Sequence, residues 1–257
     1  MQLYVEEHGD GHPLLLVTGL GYATWSWQRQ LPAWSRRFRC IAVDNRGTGR
    51  SPKPPGPYTL EELADDAAQT VAQSLAGRRA HVAGFSMGGY IAQLLALRHP
   101  QLVERLVLIC TGTGGEGHVP IPAATQAVWE ANAGRPPHEF ARATMPLSFA
   151  PGWTDAHADE FEQLLADRLE YPTPPESWQA QYDACWRFVR QVTPVEEIAA
   201  PTLVVHGDAD RIVPYENGVA LARRIPGARL ETFPGGGHLL FLESPERFNP
   251  LVEEFLS

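Results

Sequence analysis

The chain has 257 residues, of which 44% are hydrophobic and 20% are charged, and its formal net charge is -9. This length fits one α/β domain, or such a domain with an insertion, and is large enough to bury a sizeable core. The negative charge argues against nucleic acid and against an anionic membrane surface as partners.

The sequence has no recognisable targeting or membrane-spanning pattern. Its first residues lack the basic and apolar regions of a signal peptide. No apolar run approaches the roughly 18 residues that a membrane span needs. The three cysteines, Cys40, Cys110 and Cys185, are scattered, and the first two lie in apolar runs, so reduced thiols are expected. Together these features predict a cytoplasmic protein.

In chain order, seven stretches have the apolar or alternating pattern that predicts β-strands. They are residues 2–7, 13–17, 38–43, 80–83, 103–110, 201–206 and 229–233. Helical patterns lie between them at residues 25–34, 59–75, 90–97 and 215–224, and one follows them at residues 244–256. Thr59 and Glu62 form a capping box at the second of these helices. Strands that alternate with helices indicate an α/β fold with a mostly parallel sheet.

The alternation breaks between residues 111 and 195, where glycines and prolines separate helical segments at residues 123–133, 137–145, 154–170 and 175–192. We expect a core of residues 1–112 and 196–257 and a helical cap of residues 113–195. Most aromatic side chains of the cap are expected to pack against one another, but an insertion over an active-site edge also shapes a pocket. The pocket candidates are Trp25, Trp129, Met145, Phe149, Trp153, Trp186 and Leu239.

Gly84-Phe85-Ser86-Met87-Gly88 lies between a predicted strand and a predicted helix. A Gly-x-Ser-x-Gly sequence in this setting is typical of the nucleophile elbow, a sharp turn that exposes a strained serine. The flanking glycines leave room where a Cβ atom would collide with the neighbouring strand or helix. Ser86 is therefore a candidate nucleophile, although the five-residue pattern alone also fits an ordinary glycine-rich turn.

A serine hydroxyl needs an adjacent base, and the base needs an orienting acid. Asp210 and His238 each lie in a loop just after a predicted strand, as Ser86 does. The order serine, acid, histidine, with each residue after its own strand, predicts a catalytic triad of Ser86, Asp210 and His238.

Two neighbours of the triad have other interpretations. Asp208 is the alternative acid, but its place nearer the strand favours a role in the turn. His206 ends a strand, where structural packing is expected. No group of histidine, cysteine and acidic residues has convincing metal-ligand spacing, so no metal is expected.

The transition state of acyl transfer also needs hydrogen-bond donors for its oxyanion. One candidate is the backbone N–H of Met87, at the start of the helix after the elbow. The other is the N–H of Leu20, because Gly19 and Gly21 on either side allow a close backbone approach. A simple glycine turn is the alternative for this loop.

These motifs resemble those of the α/β-hydrolase superfamily, over essentially the whole chain. They are Thr18-Gly19-Leu20-Gly21, residues 44–51, Gly84-Phe85-Ser86-Met87-Gly88-Gly89, residues 207–214 and Gly236-Gly237-His238. The resemblance implies an eight-stranded, mostly parallel sheet flanked by helices, with the cap inserted after the sixth strand. It also implies Ser86 as nucleophile, His238 as base, Asp210 as acid, and Leu20 and Met87 as oxyanion donors.

Within this superfamily the chain is similar to the compact, helical-capped bacterial group. That group includes carboxylesterases, 3-oxoadipate enol-lactonases, meta-cleavage C–C hydrolases and cofactor-free haloperoxidases. Thr18 stands where most members have a histidine, which affects the oxyanion loop but not the assignment as a hydrolase. A serine at position 86, rather than an aspartate, argues against haloalkane dehalogenase or epoxide hydrolase chemistry. The turn at residues 44–51 would be structural.

The sequence predicts, first, a serine esterase that cleaves small to medium carboxylic esters through an acyl-enzyme, with a small-molecule ester as its partner and no cofactor. The second hypothesis keeps the triad but takes an enol-lactone, a C–C bond or a thioester. It ranks lower because the arginines of the cap are expected to be solvated; these are Arg135, Arg142, Arg168, Arg187 and Arg190. The third is a signalling or ligand-binding module with a slow triad. The sequence does not distinguish a monomer from a homo-oligomer.

Overall fold

The protein is built on one sheet in which every strand but the first runs parallel to its neighbours. The computed structural model describes residues 1–75 and 78–257. The strands are β1 (Tyr4–His8), β2 (His12–Val17), β3 (Phe38–Asp44), β4 (Ala80–Phe85), β5 (Val103–Ile109), β6 (Thr202–Gly207) and β7 (Arg229–Phe233). Their order across the sheet is β1-β3-β2-β4-β5-β6-β7, with β1 antiparallel to β3.

The predicted fold class, a mostly parallel sheet flanked by helices, is confirmed, but the predicted strand number is wrong. Within the described residues the sheet has seven strands instead of eight, and the inserted helices follow the fifth strand instead of the sixth. Only a tight turn, with Gly9 at a φ of 80°, separates β1 from β2, so the amino-terminal segment adds a single edge strand. The number eight came from the family resemblance, whereas the sequence itself contains seven strand-like runs.

Helices cover both faces of the sheet. They are α1 (Leu31–Trp34), α2 (Leu60–Leu75), α3 (Met87–Arg98), α4 (Ala123–Asn132), α5 (Pro137–Thr144), α6 (Trp153–Ala156), α7 (Ala158–Glu170), α8 (Pro175–Val189), α9 (Tyr215–Arg224), α10 (Leu240–Glu243) and α11 (Pro245–Leu256). The sequence predicts one helix over residues 25–34, and this prediction is wrong. The structure has a 3-10 turn at Thr24–Trp27, followed by the short α1. Over residues 1–75 and 78–257, no helix combines the length and apolarity needed to cross a membrane.

The predicted capping box is confirmed at the start of α2. The backbone N–H of Thr59 donates to Oε2 of Glu62 at 2.9 Å. In return, the backbone N–H of Glu62 donates to Oγ1 of Thr59 at 3.2 Å. These bonds satisfy N–H groups that have no partner within the helix.

Alternate side chains of the central strands fill a core on each face of the sheet. Leu15 and Val17 of β2 pack with α2, α3 and α9, and Leu14 and Leu16 pack with α1, α10 and α11. All four are fully buried, as expected of a strand covered on both sides. Because the strands are parallel, their carboxyl ends meet at one edge of the sheet, where the loops with the predicted functional residues lie.

Helices α4–α8 lie between β5 and β6 in the chain and contact the loops at this edge. The guanidinium of Arg211, in the loop after β6, donates to the carbonyl oxygens of Pro146 and Phe149 at 2.8 and 2.9 Å. The N–H of Leu239, after β7, donates to the carbonyl oxygen of Ser148 at 2.8 Å. The inserted helices are thus bonded directly to the loops that carry Asp210 and His238.

Candidate active site

Ser86 lies at the turn between β4 and α3 in a strained backbone conformation. Its φ of 54° and ψ of -122° are values that a non-glycine residue adopts only where its surroundings impose them. A Cβ atom on Gly84 would lie 2.2 Å from the carbonyl oxygen of Gly88, and one on Gly88 would lie 2.3 Å from that of Val17. The glycines therefore let α3 approach the sheet closely, and the turn has the geometry of a nucleophile elbow.

Asp210 and His238 are joined by a buried hydrogen bond between the loops after β6 and β7. Nδ1 of His238 lies 2.8 Å from Oδ2 of Asp210. Oδ1 of Asp210 accepts the backbone N–H groups of Ile212 and Val213 at 2.8 and 3.0 Å. Burial alone would raise the pKa of Asp210, but the charge of His238 and hydrogen bonds from His206 and His238 hold it below its usual range. Asp210 is therefore a carboxylate that can orient an imidazole and stabilise its charge.

His206, in β6, is a second histidine on the Asp210 carboxylate. Its Nε2 lies 2.9 Å from the carbonyl oxygen of Val213 and 3.3 Å from Oδ2 of Asp210. Because a carbonyl oxygen only accepts, Nε2 carries the proton and is shared between the two oxygens. The alternative acid, Asp208, is exposed and accepts the N–H of Gly235 at 2.6 Å, as its predicted role in the turn requires.

Ser86 and His238 face the same cavity but are not bonded to each other. Together with Leu20 they line a cavity of about 380 Å³. The bond between His238 and Asp210 is formed, whereas no hydrogen bond within 3.5 Å joins these two described side chains, Ser86 and His238. Such bonds are often long in free enzymes and tighten in the complex with substrate. The structure therefore places a strained serine and an acid-oriented imidazole around one cavity.

The backbone N–H groups of Leu20 and Met87 are both available beside Ser86. The three residues line a second cavity of about 620 Å³. Neither N–H group is bonded to another residue in the described part of the chain. Met87 is the first residue of α3, where N–H groups have no partner within the helix. Two unpaired N–H groups beside a serine hydroxyl form an arrangement that can stabilise an oxyanion.

Thr18 supports the loop of Leu20 in the place where most family members have a histidine. The hydroxyl of Thr18 donates to the carbonyl oxygen of Tyr22 at 3.1 Å. Nδ2 of Asn45 donates to the carbonyl oxygen of Thr18 at 2.9 Å. Thr18 and Asn45 are both buried, so the threonine closes the loop with internal bonds that need no contact with solvent.

Gln181 of α8 joins the same loop to the inserted helices. The N–H of Gly21 donates to Oε1 of Gln181 at 2.9 Å, and Nε2 of Gln181 donates to the carbonyl oxygen of Arg46 at 2.8 Å. Gln181 is fully buried, and these partners are 160 and 135 residues away along the chain. No local sequence pattern marks a residue whose role depends on such distant contacts, so Gln181 is not among the residues that the sequence predicts.

The two cavities meet at Ser86, and both are also lined by Leu20, Trp129 and Ile212. The lining of the larger cavity is mainly apolar and aromatic and includes Trp186. The smaller cavity contains His238. Of the predicted pocket residues, the structure therefore places Trp129 in both cavities and Trp186 in the larger one.

The other five predicted pocket residues lie outside these two cavities. Met145, Phe149 and Leu239 are fully buried in the core beside α10 and α11. Trp25 and Trp153 pack against the same core, and the Trp153 ring stacks on Phe149 with centroids 4.5 Å apart. A large apolar side chain in or near the inserted helices can face either the cavity or the core, and its residue type does not decide which.

Arg168 of α7 lines the cavity of Ser86 and His238, although the cap arginines were expected to be solvated. Its guanidinium lies over the Tyr22 ring, 4.8 Å from the centroid. Among the described residues no carboxylate lies within 4.0 Å of this guanidinium. Arg168 therefore places a positive charge without a protein counter-ion in the wall of the cavity.

One cluster that includes Asp210 has the donor types of a metal site. Cys110, His206 and Asp210 are buried and offer ligand atoms within 4.8 Å of one another. The Asp210 carboxylate and Nε2 of His206 are already hydrogen-bonded, and Sγ of Cys110 donates to the carbonyl oxygen of Gly237 at 3.7 Å. Burial raises the pKa of the Cys110 thiol, so the sulfur keeps its proton. We therefore assign no metal to this cluster.

The chain is similar to known hydrolases over nearly its whole length. The model of the family described as the alpha/beta hydrolase fold matches residues 12–245. A relative from Caulobacter sp. (strain K31), provisionally named carbamate hydrolase RutD, is 31% identical over 261 residues, which cover 99% of this chain and 96% of the relative. The 2-hydroxymuconate semialdehyde hydrolase of Pseudomonas sp. (strain CF600) is 33% identical over 261 residues, covering 98% and 89%. The solved structure of a thermophilic esterase from Thermogutta terrifontis has a TM-score of 0.84 and is 29% identical, with 99% of this chain and 92% of that chain covered.

Proposed function

This chain belongs to the α/β-hydrolase family, and on that premise we propose that it is a serine hydrolase that cleaves small to medium carboxylic esters. The observation that carries the proposal is the 2.8 Å hydrogen bond between His238 and Asp210. His238 lines the same cavity as Ser86, whose backbone is strained. The similarity to a solved protein that is named as an esterase supports an ester as the bond that is cleaved. Ser86, His238 and Asp210 act as nucleophile, base and acid in this proposal.

In the proposed reaction, Oγ of Ser86 attacks the ester carbonyl carbon while Nε2 of His238 takes the hydroxyl proton. The carbonyl oxygen becomes an oxyanion and accepts the N–H groups of Leu20 and Met87. The bond to the alcohol then breaks, and His238 gives its proton to the leaving oxygen. Water attacks the acyl-enzyme with the help of the same base and releases the acid. Asp210 stays ionised throughout, because its pKa is held low.

The two cavities offer separate places for the two halves of an ester. His238 lines the smaller cavity, so we assign the leaving alcohol, which takes its proton from His238, to that cavity. We assign the acyl group to the larger cavity, beside Leu20 and Met87.

Hydrolysis of p-nitrophenyl butyrate tests the proposal. Ser86→Ala removes the nucleophile and is expected to lower kcat by about 10⁴-fold or more. Ser148→Ala is the matched control, because Ser148 also lines the smaller cavity but accepts a hydrogen bond from Tyr22 at 3.2 Å. The control should keep most of the activity. Unchanged hydrolysis by Ser86→Ala would contradict the assignment.

Arg168 favours a second candidate function, the hydrolysis of a lactone or of a C–C bond in a substrate that carries a carboxylate. A guanidinium without a protein counter-ion can form charge-assisted hydrogen bonds with such a group. The name of the Pseudomonas relative, a 2-hydroxymuconate semialdehyde hydrolase, is consistent with an enzyme of this kind. The same serine, histidine and aspartate would carry out the reaction.

A pair of esters separates the two candidates: p-nitrophenyl butyrate, which is neutral, and mono-p-nitrophenyl glutarate, which is acidic. If Arg168 binds a carboxylate, Arg168→Gln lowers kcat/KM for the acidic ester by about 10- to 100-fold and leaves the neutral ester unchanged. Arg142→Gln is the control, because Arg142 is paired with Glu162 on the surface at 2.7 Å. Equal effects of Arg168→Gln on both esters would exclude carboxylate recognition by this residue.

A further inference from the structure

Two histidines and a glutamate lie together at the edge of the sheet opposite Ser86. His12 begins β2, His81 is the second residue of β4, and Glu104 is the second residue of β5. These three strands are adjacent and parallel, so their amino ends lie side by side. Ser86 follows the carboxyl end of β4, which places it about 16 Å from His81 at roughly 3.3 Å per strand residue.

The ligand atoms of the three side chains converge. Each side chain offers one such atom, and the atoms lie within 4.8 Å of one another. The rings of His12 and His81 are 4.3 Å apart between centroids. Nε2 of His12 lies 3.1 Å from Oε2 of Glu104. The three groups therefore surround a common point between the strand ends.

A β-bulge accompanies the glutamate. Ala80 of β4 pairs with Val103 of β5, but Val82 pairs with Leu106, so β5 contains one extra residue at this point. Bulges of this kind re-aim a side chain relative to the regular strand alternation. The irregularity covers Glu104 and Arg105, and Glu104 contributes the carboxylate to the cluster.

Two ring nitrogens of the cluster are buried and have no hydrogen-bond partner in the described part of the chain. They are Nε2 of His12 and Nδ1 of His81. The whole His81 side chain is buried, with an exposed fraction of 4%. Nε2 of His12 lies close to Glu104 without the geometry of a hydrogen bond. Buried polar atoms are normally bonded, so two exceptions in neighbouring imidazole rings of one cluster need an explanation.

We propose that His12, His81 and Glu104 bind a divalent transition-metal ion, with zinc as the best match. Two imidazoles and one carboxylate are a donor set that zinc uses, with water as the fourth ligand. Bond lengths of about 2.0–2.2 Å bring the donors of a tetrahedral site about 3.3 Å apart, so small side-chain movements suffice. The ion links the amino ends of three central strands and stabilises the fold rather than acting on Ser86. The spacing of the three residues along the sequence does not indicate a metal site, because each ligand comes from a different strand.

Calorimetric titration of ZnCl₂ into metal-free protein without an affinity tag tests the proposal. The wild type should bind one zinc ion per chain, and zinc should raise its Tm. His12→Gln and Glu104→Gln should each weaken binding by at least about tenfold. Both positions are partly exposed, and circular dichroism checks that each variant is folded. In the wild type, cobalt should give the visible absorption of a tetrahedral site, and His12→Gln should lose it.

Two further variants test whether zinc binds at other histidines of the protein. His138→Gln removes an exposed histidine of the cap, and His238→Gln removes the histidine of the active site. Both should bind zinc as the wild type does. The proposal is overturned if the wild type binds no zinc, which would leave His12 and Glu104 as an ion pair. It is also overturned if His12→Gln and Glu104→Gln bind zinc normally, or if His238→Gln loses the ion.

Discussion

Asp210 is held by contacts on both of its carboxylate oxygens. Its two carboxylate oxygens face two backbone N–H groups and two imidazoles, and its side chain is fully buried. An ionised carboxylate with this many donors has a single preferred position. Its hydrogen bond to Nδ1 of His238 then fixes the orientation of the imidazole ring. The orientation of the proposed base therefore depends on how the loop after β6 holds its acid.

The free energy of unfolding should carry a pH signature of Asp210. The folded pKa lies below the unfolded value of about 3.9, so the stabilisation is present above that pH and is lost as the pH falls toward the folded pKa. We expect the stability difference between wild type and Asp210→Asn to be largest above about pH 5 and to shrink below about pH 4. Urea unfolding at each pH measures it. A difference that grows as the pH falls would contradict this linkage.

His206 should act through Asp210 as a positioning residue. His206→Phe keeps an aromatic ring but removes the donor to the carboxylate, so kcat should fall about 10- to 100-fold. KM should change little, because His206 lines neither cavity of Ser86. Steady-state kinetics with p-nitrophenyl butyrate separates the two constants.

Tyr215→Phe is the matched control for His206→Phe. The Tyr215 ring packs edge-on against His206 with centroids 5.9 Å apart, and its hydroxyl bonds to Thr232 rather than to Asp210. This variant should keep the kcat of the wild type. Similar losses of kcat in both variants would show that packing, and not the hydrogen bond to the acid, is what matters.

Among the elements, α8 connects the inserted helices to the proposed oxyanion loop. Its buried Gln181 bonds to the N–H of Gly21 and to the carbonyl oxygen of Arg46. One side chain thus holds the loop next to Leu20 and the turn that follows β3. A displacement of this helix would therefore move an oxyanion donor as well as the wall of the larger cavity.

Gln181→Leu tests this connection. The change leaves the buried N–H of Gly21 and the partly buried carbonyl oxygen of Arg46 without partners, which should lower the free energy of unfolding by about 1–3 kcal/mol. It should also lower kcat about tenfold, because the N–H of Leu20 is worth roughly 3 kcal/mol when aligned and part of that is lost. Gln179→Leu is the control on the same helix, since Gln179 is exposed and bonds to Asp183, one turn further along α8. If both variants match the wild type in stability and kcat, α8 does not position the loop.

Across the whole molecule, the sequence predicts the residues that lie at strand ends. Ser86, Asp210 and His238 each follow a buried strand, and the carboxyl ends of parallel strands meet at one edge, so their proximity follows from the topology. The structure adds Gln181 and Arg168, whose surroundings come from helices folded over that edge. Residue type and local pattern do not contain this information.

The pocket residues and the number of strands also show which features the local sequence predicts and which it does not. Met145 and Phe149 have the hydrophobicity of pocket residues, but the packing of the inserted helices turns them into the core. The seven strand-like runs of the sequence each form a strand, whereas the eighth strand came from the family and not from the chain. Local periodicity thus predicts the elements, and tertiary packing decides which side chains face the substrate.

Active-site labelling is the most direct test of Ser86 as an activated nucleophile. The protein is treated with a fluorophosphonate, and intact mass and peptide mapping locate the adduct. We expect one adduct per chain on Ser86, no adduct on Ser86→Ala, and full labelling of Ser148→Ala. Labelling of Ser86→Ala at the rate of the wild type, or an adduct on another residue of the wild type, would contradict the central claim.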